Sequence, residues 1–185
     1  MDGDVKFSIS DVTTPNGVVT ADITLPETFS ASAFSKLNDQ WDLMGDLTWT
    51  RWSQFQELAV YYTNGQQLTK TTENWSNTLR YSIGANYHYS DAIKLRAGLA
   101  YDEEAISDQF RTARIPGNNR KWASLGASYQ VSPAGKIDVG YSHLFISDAK
   151  ISDKQNTPAL KRKGDLIGSY DGSVDLLSLQ YTHNF

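Results

Sequence analysis

The residues of this 185-residue chain with chemical reach are cations, carboxylates and three histidines, and they are dispersed rather than clustered. His88, His143 and His183 fall on separate extended segments with no metal-ligand spacing. The absence of cysteine excludes a thiolate metal site and a disulfide framework. Ser142 and His143 are adjacent, but neighbours in a strand point to opposite faces, so they cannot act as nucleophile and base. Asp102, Glu103, Glu104 and Asp108 could offer oxygens to a divalent cation, yet they lack the spacing of a calcium loop and read as a solvated loop. No catalytic residue, metal site or cofactor is expected. The remaining groups are cations: Lys70, Arg80, Arg96, Arg111 and Arg120. Arg80 and Arg96 sit in the middle of alternating segments, on the polar face, as does Asp138.

Those segments have the period-two pattern of strands. Six are clear: 41–49, 78–89, 93–101, 121–131, 136–145 and 175–185. In 78–89, for example, Leu79, Tyr81, Ile83, Ala85, Tyr87 and Tyr89 oppose Thr78, Arg80, Ser82, Gly84, Asn86 and His88. Two weaker strands are expected at 4–10 and roughly 22–37, which brings the total to about eight. Helical spacing is absent. Short turns at Asn38-Asp39-Gln40, Ser90-Asp91-Ala92 and Ser132-Pro133-Ala134-Gly135 alternate with long loops at about 53–74, 102–119 and 147–172. Gly84, Gly98, Gly126 and Gly140 each fall mid-strand on the polar face, where they would leave room inside a barrel.

The chain carries 17 Lys and Arg against 21 Asp and Glu, a net charge of -4, which argues against a nucleic-acid partner. Mean hydropathy is -0.47, and no run approaches the ~18 apolar residues of a transmembrane helix. A membrane barrel escapes that test, because only alternate residues meet lipid. Three features favour lipid over a soluble sheet. Tyr and Trp sit near strand ends, as at Trp41, Trp49, Trp52, Tyr87, Tyr89, Tyr101 and Tyr129, where interfacial girdles form. Whole charges occupy the polar face. The chain runs to its end in alternation, closing on Phe185. The opening Met1-Asp2-Gly3-Asp4 has no charged-then-apolar leader, so an export signal is expected to have been removed or to precede this piece of a longer protein. The expected fold is all-β, an antiparallel up-and-down transmembrane β-barrel forming a single domain over 1–185.

From about Leu25 to Phe185 the chain resembles the carboxy-terminal half of the FadL/TodX outer-membrane transporters of long-chain fatty acids and other hydrophobic compounds. The resemblance rests on Leu25-Pro26-Glu27, then Trp49-Thr50-Arg51-Trp52-Ser53-Gln54-Phe55 with Leu58, then Arg80, Gly84 and Tyr87. It continues through Arg96-Ala97-Gly98-Leu99-Ala100-Tyr101-Asp102, Arg111, Ile115-Pro116, Arg120, Trp122, Gly126 and Tyr129. Asp138-Val139-Gly140-Tyr141, His143 and the terminal Tyr181 to Phe185 complete it. No element is specific alone; their order and spacing are. The resemblance implies a fourteen-stranded barrel in the bacterial outer membrane, plugged by an amino-terminal hatch that lies outside this sequence. The terminal phenylalanine resembles the signature read by the barrel assembly machinery.

The family implies passive uptake of hydrophobic molecules without covalent chemistry by a protein that is monomeric and surrounded by outer-membrane lipid. Ligand capture needs an apolar groove for the tail and a cation for the carboxylate. The residues implied for it are Lys70, Arg80, Arg96, Arg111 and Arg120, with Phe55 and Leu58 as apolar contacts. A second reading stays open, in which the arginines pair with Asp46, Asp102, Glu103 or Asp138 and hold the interior together. Phe55, Leu58, Tyr61 and Tyr62 could equally anchor the interface. Lys161-Arg162-Lys163 reads as a solvated patch or a contact for lipopolysaccharide. A small soluble lipid-binding β-module and a purely structural outer-membrane barrel are the alternatives to transport.

Overall fold

The period-two segments do become strands, and their register is continuous from one to the next. The computed structural model describes residues 5–7, 17–153 and 165–185. Eleven strands are present among them: β1 (Val5–Phe7), β2 (Gly17–Thr20), β3 (Thr28–Lys36), β4 (Trp41–Thr50), β5 (Glu57–Tyr62), β6 (Gln67–Thr72), β7 (Thr78–His88), β8 (Ile93–Asp102), β9 (Arg120–Gln130), β10 (Gly135–Asp153) and β11 (Leu166–His183). Seven form one sheet in the order β11-β10-β9-β8-β7-β4-β3, every neighbour antiparallel. The other four form a separate sheet, β1-β2-β5-β6.

The large sheet is an up-and-down wall. Its short turns lie at one end and its long connections at the other, the asymmetry of outer-membrane barrels. Its edges are β3 and β11, with no further partner among the described residues. Counting strand directions shows that β3 and β11 run the same way. A closed antiparallel barrel therefore needs an odd number of further strands between those edges. Two copies of this wall would meet parallel, β11 beside β3, and would not continue the antiparallel ladder.

The two faces of the wall differ as the alternation requires. On the outer face Phe29, Ile83, Leu99, Leu125, Leu177 and Leu179 are between 59% and 80% exposed. The buried apolar residues are few: Val19, Tyr62, Ile106, Leu144, Ala149 and Ile151. In water such a bare apolar face would be uncovered surface; against lipid it is the expected solvent contact. Aromatic rings bound this face in two bands. Trp41, Tyr87, Tyr89, Tyr129 and Tyr181 lie near the short turns, with Trp41 and Tyr87 rings 4.7 Å apart. Trp49, Tyr81 and Tyr101 lie near the long connections. Eight residues of strand separate Trp49 from Trp41, about 26 Å of extended chain, or about 20 Å along the membrane normal at the usual barrel tilt.

The structure corrects several boundaries. The wall has seven strands rather than about eight, and the expected strand 22–37 begins only at Thr28. Residues 53–74, expected as a loop, carry a 3₁₀ turn (Trp52–Gln54) and the β5–β6 hairpin. That hairpin turns at Gly65, whose positive φ of 84° suits glycine. The expected 4–10 strand is described only as Val5–Phe7, and its partner β2 carried no clear alternation. The expected loop 147–172 is largely strand, because β10 and β11 run 19 and 18 residues, past the membrane. A register shift between Ile146 and Ala149 hides this extension. Below it Leu144 is buried and Phe145 exposed; above it Ala149 and Ile151 are buried and Lys150 is exposed. One extra residue reverses the phase, and the alternation breaks. The basic patch at 161–163 lies outside the described residues.

Candidate functional site

Even-numbered residues of β3, β4, β7, β8 and β9 and of the lower part of β10 and β11 share the inner face, and the register stacks them into rows. The upper row places Ser30, Thr48, Arg80, Asp102 and Arg120 side by side. The row below holds Ser32, Asp46, Ser82, Ala100 and Trp122. Next come Phe34, Met44, Gly84, Gly98, Ser124, Ser142 and Leu176, a waist whose central members, Gly84 to Ser142, are short and uncharged. Gly84 and Gly98 face each other directly, so nothing projects between their strands. Below the waist lie Asn86, Arg96, Gly126 and Gly140, and then His88, Lys94, Ser128 and Asp138. The inner wall thus has two charged belts separated by a smooth band.

Most groups of the lower belt are paired within it. Arg96 reaches Asp138 at 3.1 Å and Lys136 reaches the other oxygen of that carboxylate at 3.1 Å. Ser128 donates a short hydrogen bond to the same group. Asp42, 6% exposed, accepts from Asn86 at 3.2 Å and lies 2.8 Å from His88 Nε2. Asn86, Arg96, Lys136 and Asp138 line a cavity of about 760 Å³ that also touches Met44, Gly98 and Ser124.

The upper belt is less complete. Arg120 pairs with Asp102 at 3.0 Å. Asp46 accepts from Ser32 at 2.7 Å and from Thr48 at 3.0 Å. The Arg80 guanidinium lies over the Trp122 ring, 5.4 Å from its centroid, in a cation–π contact. Two buried donors, Arg120 Nε and Trp122 Nε1, have no acceptor among the described residues. Arg80, Arg120 and Trp122 therefore present a surplus of donors over acceptors, an arrangement that suits a carboxylate.

Of the other residues singled out from the sequence, all but Phe185 lie above the wall. Lys70 is on β6 and binds Glu57 of β5 at 2.6 Å; that hydrogen bond and charge hold its ammonium above the usual lysine range. Phe55 packs edge-on against Trp75, centroids 4.8 Å apart, and Trp52 meets the same ring at 4.9 Å. Leu58 is half-buried on β5. Together they make an aromatic step at the foot of the hairpin. Arg111 is placed differently: it is 2% exposed, and its guanidinium donates to the carbonyls of Gly117 at 3.0 Å, Lys150 at 2.6 Å and Ile106 at 3.1 Å. It also binds Asp108. It ties the 103–119 connection to the upper part of β10, and its donors are spent there. Phe185 projects from the end of β11, fully exposed, with its ring 4.8 Å from His183.

Sequence reading gave no role to Trp122, Lys136 or Ser128. Trp122 carried a signal: it is a large aromatic on the polar face of a strand whose other polar-face residues are small. Lys136 and Ser128 matter through cross-strand register, which pairing alone reveals.

Comparison with known proteins agrees with this geometry. Residues 7–185 match the family described as outer membrane protein transport protein (OMPP1/FadL/TodX). The 47 kDa outer membrane protein of Pasteurella multocida is 37% identical over 90% of this chain and 36% of its own length. The long-chain fatty acid transport protein of Escherichia coli K12 is 32% identical over 76% of this chain and 31% of its own. The crystal structure of a Pseudomonas aeruginosa FadL homologue superposes with a TM-score of 0.84 at 30% identity, over 91% of this chain and 38% of that one. The chain thus spans less than two-fifths of the length of these relatives, and its seven-stranded wall matches part of the 14-strand barrels of its structural neighbours. Outer-membrane location follows from the family and its relatives. On sequence, register and fold together, the chain belongs to the OMPP1/FadL/TodX family of outer-membrane transport proteins.

Proposed function

We propose that this chain supplies half of the wall and part of the extracellular mouth of a channel for hydrophobic molecules carrying an anionic head, long-chain fatty acids being the leading class. Movement is by passive diffusion, without covalent chemistry, through a barrel that works as one domain with its missing strands. The observation that carries this reading is the donor surplus at Arg80, Arg120 and Trp122, directly above a side-chain-poor waist. A carboxylate on the upper belt meets the Arg80 and Arg120 guanidinium groups, beside the two orphaned donors. An alkyl tail then lies along Ala100, Gly84 and Gly98, where no charge opposes it.

The aromatic step of Phe55 and Leu58 is the first apolar contact at the mouth, with Lys70 the nearest cation. Arg96 forms the second stop, where its pairing with Asp138 makes binding weaker. Arg111 serves capture only indirectly, by fixing the connection above the upper belt. The protein acts as a monomer among outer-membrane lipids, and Phe185 is the handle for the assembly machinery.

The test uses the intact protein from outer membranes and a radiolabelled oleate. Replacing Arg80 and Arg120 together by Ala is expected to weaken oleate binding about tenfold or more, the usual scale for losing a charged hydrogen bond. Trp122→Phe, which keeps the ring and removes the N–H, is expected to give a smaller loss. Binding that is unchanged in both variants would overturn the assignment of the head-group site. Unchanged binding in Lys70→Ala and Phe55→Ala would remove the mouth residues from the capture path.

A further inference from the structure

The outer face carries one feature that transport through the lumen does not use. Tyr81, Ile83, Leu99 and Tyr101 are neighbours there, because Tyr81 pairs with Tyr101 and Ile83 with Leu99. They line an open groove of about 460 Å³ whose upper end is closed by Lys121, the partner of Tyr101 on β9. Ile83 and Leu99 are 66% and 59% exposed. The groove floor continues at Ala123, beside Leu99, where no large side chain intrudes.

Lys121 is out of place by the logic of this face. Its parity puts it outward, between Tyr101 on β8 and Phe145 on β10, in the band of aromatic residues nearest the long connections. It is exposed and forms none of the ion pairs or hydrogen bonds among the described residues. Two carboxylates of the outer face are already engaged. Glu103 accepts the Leu79 N–H at 2.8 Å, and Asp175 accepts Tyr141 at 2.6 Å and lies 2.7 Å from His143. The Lys150 ammonium is exposed and likewise without a partner among the described residues, about 15 Å higher along β10. A lysine on a lipid face raises its ammonium to the headgroup level while its stem lies on apolar surface. Two such cations over an apolar groove match an amphiphile with acyl chains below and phosphates above.

The long connections mark the extracellular end, so this groove lies in the outer leaflet. The phosphorylated acyl lipid of that leaflet is lipopolysaccharide. We propose that Lys121 binds a phosphate of its lipid A headgroup, with one acyl chain seated between the Tyr81–Tyr101 and Ile83–Leu99 pairs. Lys150 meets the second phosphate. The site is separate from the luminal belts, since Lys121 and Arg120 point to opposite faces.

The experiment is native mass spectrometry of the intact protein in mild detergent, offered lipid A, phosphatidylglycerol or phosphatidylcholine in turn. Lipid A is expected to stay bound through desolvation, and Lys121→Glu to lower its occupancy about fivefold or more, the factor for one lysine at an anionic surface. Lys121→Arg is expected to retain it, and oleate binding to be unaffected throughout. If Lys121→Glu fails to give a heat-modifiable barrel, Lys121→Gln carries the same reading. Full lipid A occupancy in the folded Lys121 variants would overturn the proposal. Equal retention of phosphatidylglycerol would reduce the site to an unspecific anionic surface, and equal retention of phosphatidylcholine would leave an apolar groove without a head-group site; either result overturns it.

Discussion

The seven-stranded wall and the structure above it satisfy their backbones by different means. In the wall, every interior strand is hydrogen-bonded on both sides, and side chains only have to suit the medium each face meets. Above the membrane, water is available and the ladder is short. There the chain is held by individual contacts: Arg111 across three carbonyls, Lys70 to Glu57, Trp75 under Phe55 and Trp52, and Asn118 to the Asp148 carbonyl at 2.7 Å. The wall is generic in its side chains and strict in its alternation. The upper part has little alternation and depends on particular residues. Losses in the wall should therefore follow face and depth, and losses above it should follow hydrogen-bond inventory.

The sharpest way to break this distinction is a charge on one face and then on the other. Leu99→Arg puts a guanidinium against lipid near the middle of β8 and is expected to cost about 2–4 kcal/mol of folding stability in a bilayer. Ser82→Lys puts a charge on the inner face beside Asp46, and a change close to zero is expected. Urea titration of the intact protein in lipid vesicles measures both. Equal costs would show that the two faces meet the same medium and would end the membrane assignment of the outer one.

Arg111 sharpens the other half of the comparison. Arg111→Ala strips donors from three carbonyls, that of Ile106 buried, an expected loss of about 2–3 kcal/mol confined to the connection between β8 and β9. Limited proteolysis is expected to cut within 103–119 in this variant while the barrel keeps its heat-modifiable mobility. Arg111→Lys is expected to recover only part of the protection, because one ammonium cannot span three carbonyl directions. Loss of the barrel itself would mean that the connection supports the wall, contrary to the division drawn above.

The same distinction explains how much could be read from the sequence. Wall strands such as 78–89 and 93–101 were legible because lipid imposes a two-residue period on Leu79 through Tyr89 and on Ile93 through Tyr101. The upper reach of β10 was not, because the slip after Ile146 moves Ala149 and Ile151 into the phase that Asp148 and Lys150 would have held. The β5–β6 hairpin was hidden for another reason: Gln67-Leu68-Thr69-Lys70-Thr71-Thr72 has no lipid face and reads as polar loop, although its Thr residues suit a strand. Among site residues, the pairing of Arg96 with Asp138 and of Arg120 with Asp102 was among the partnerships the sequence allowed. The surplus donors on Arg120 and Trp122 depend on cross-strand rows that no local pattern encodes. Arg111 shows the limit most plainly, since its type suits a ligand site and its burial serves a loop.

The smallest effect belongs to the hairpin ion pair, and its pH dependence has a definite sign. The hydrogen bond and charge of Glu57 raise the Lys70 pKa above the ordinary lysine value. A raised folded pKa means that the pair contributes fully below the ordinary value and that the contribution is lost as pH climbs through the raised one. Both partners are nearly half exposed, so screening keeps the contribution small. Amide exchange at Val60 and Thr69, corrected for the intrinsic rate at each pH, is expected to stay flat from neutral to mildly alkaline conditions and to accelerate beyond the lysine range. Glu57→Gln is expected to remove that alkaline step while leaving exchange in β7 and β8 untouched. A step that survives Glu57→Gln would show that the ion pair is not its source. A step that spreads into β7 would show that the hairpin and the wall open together, and the two regions would then be one cooperative unit rather than two.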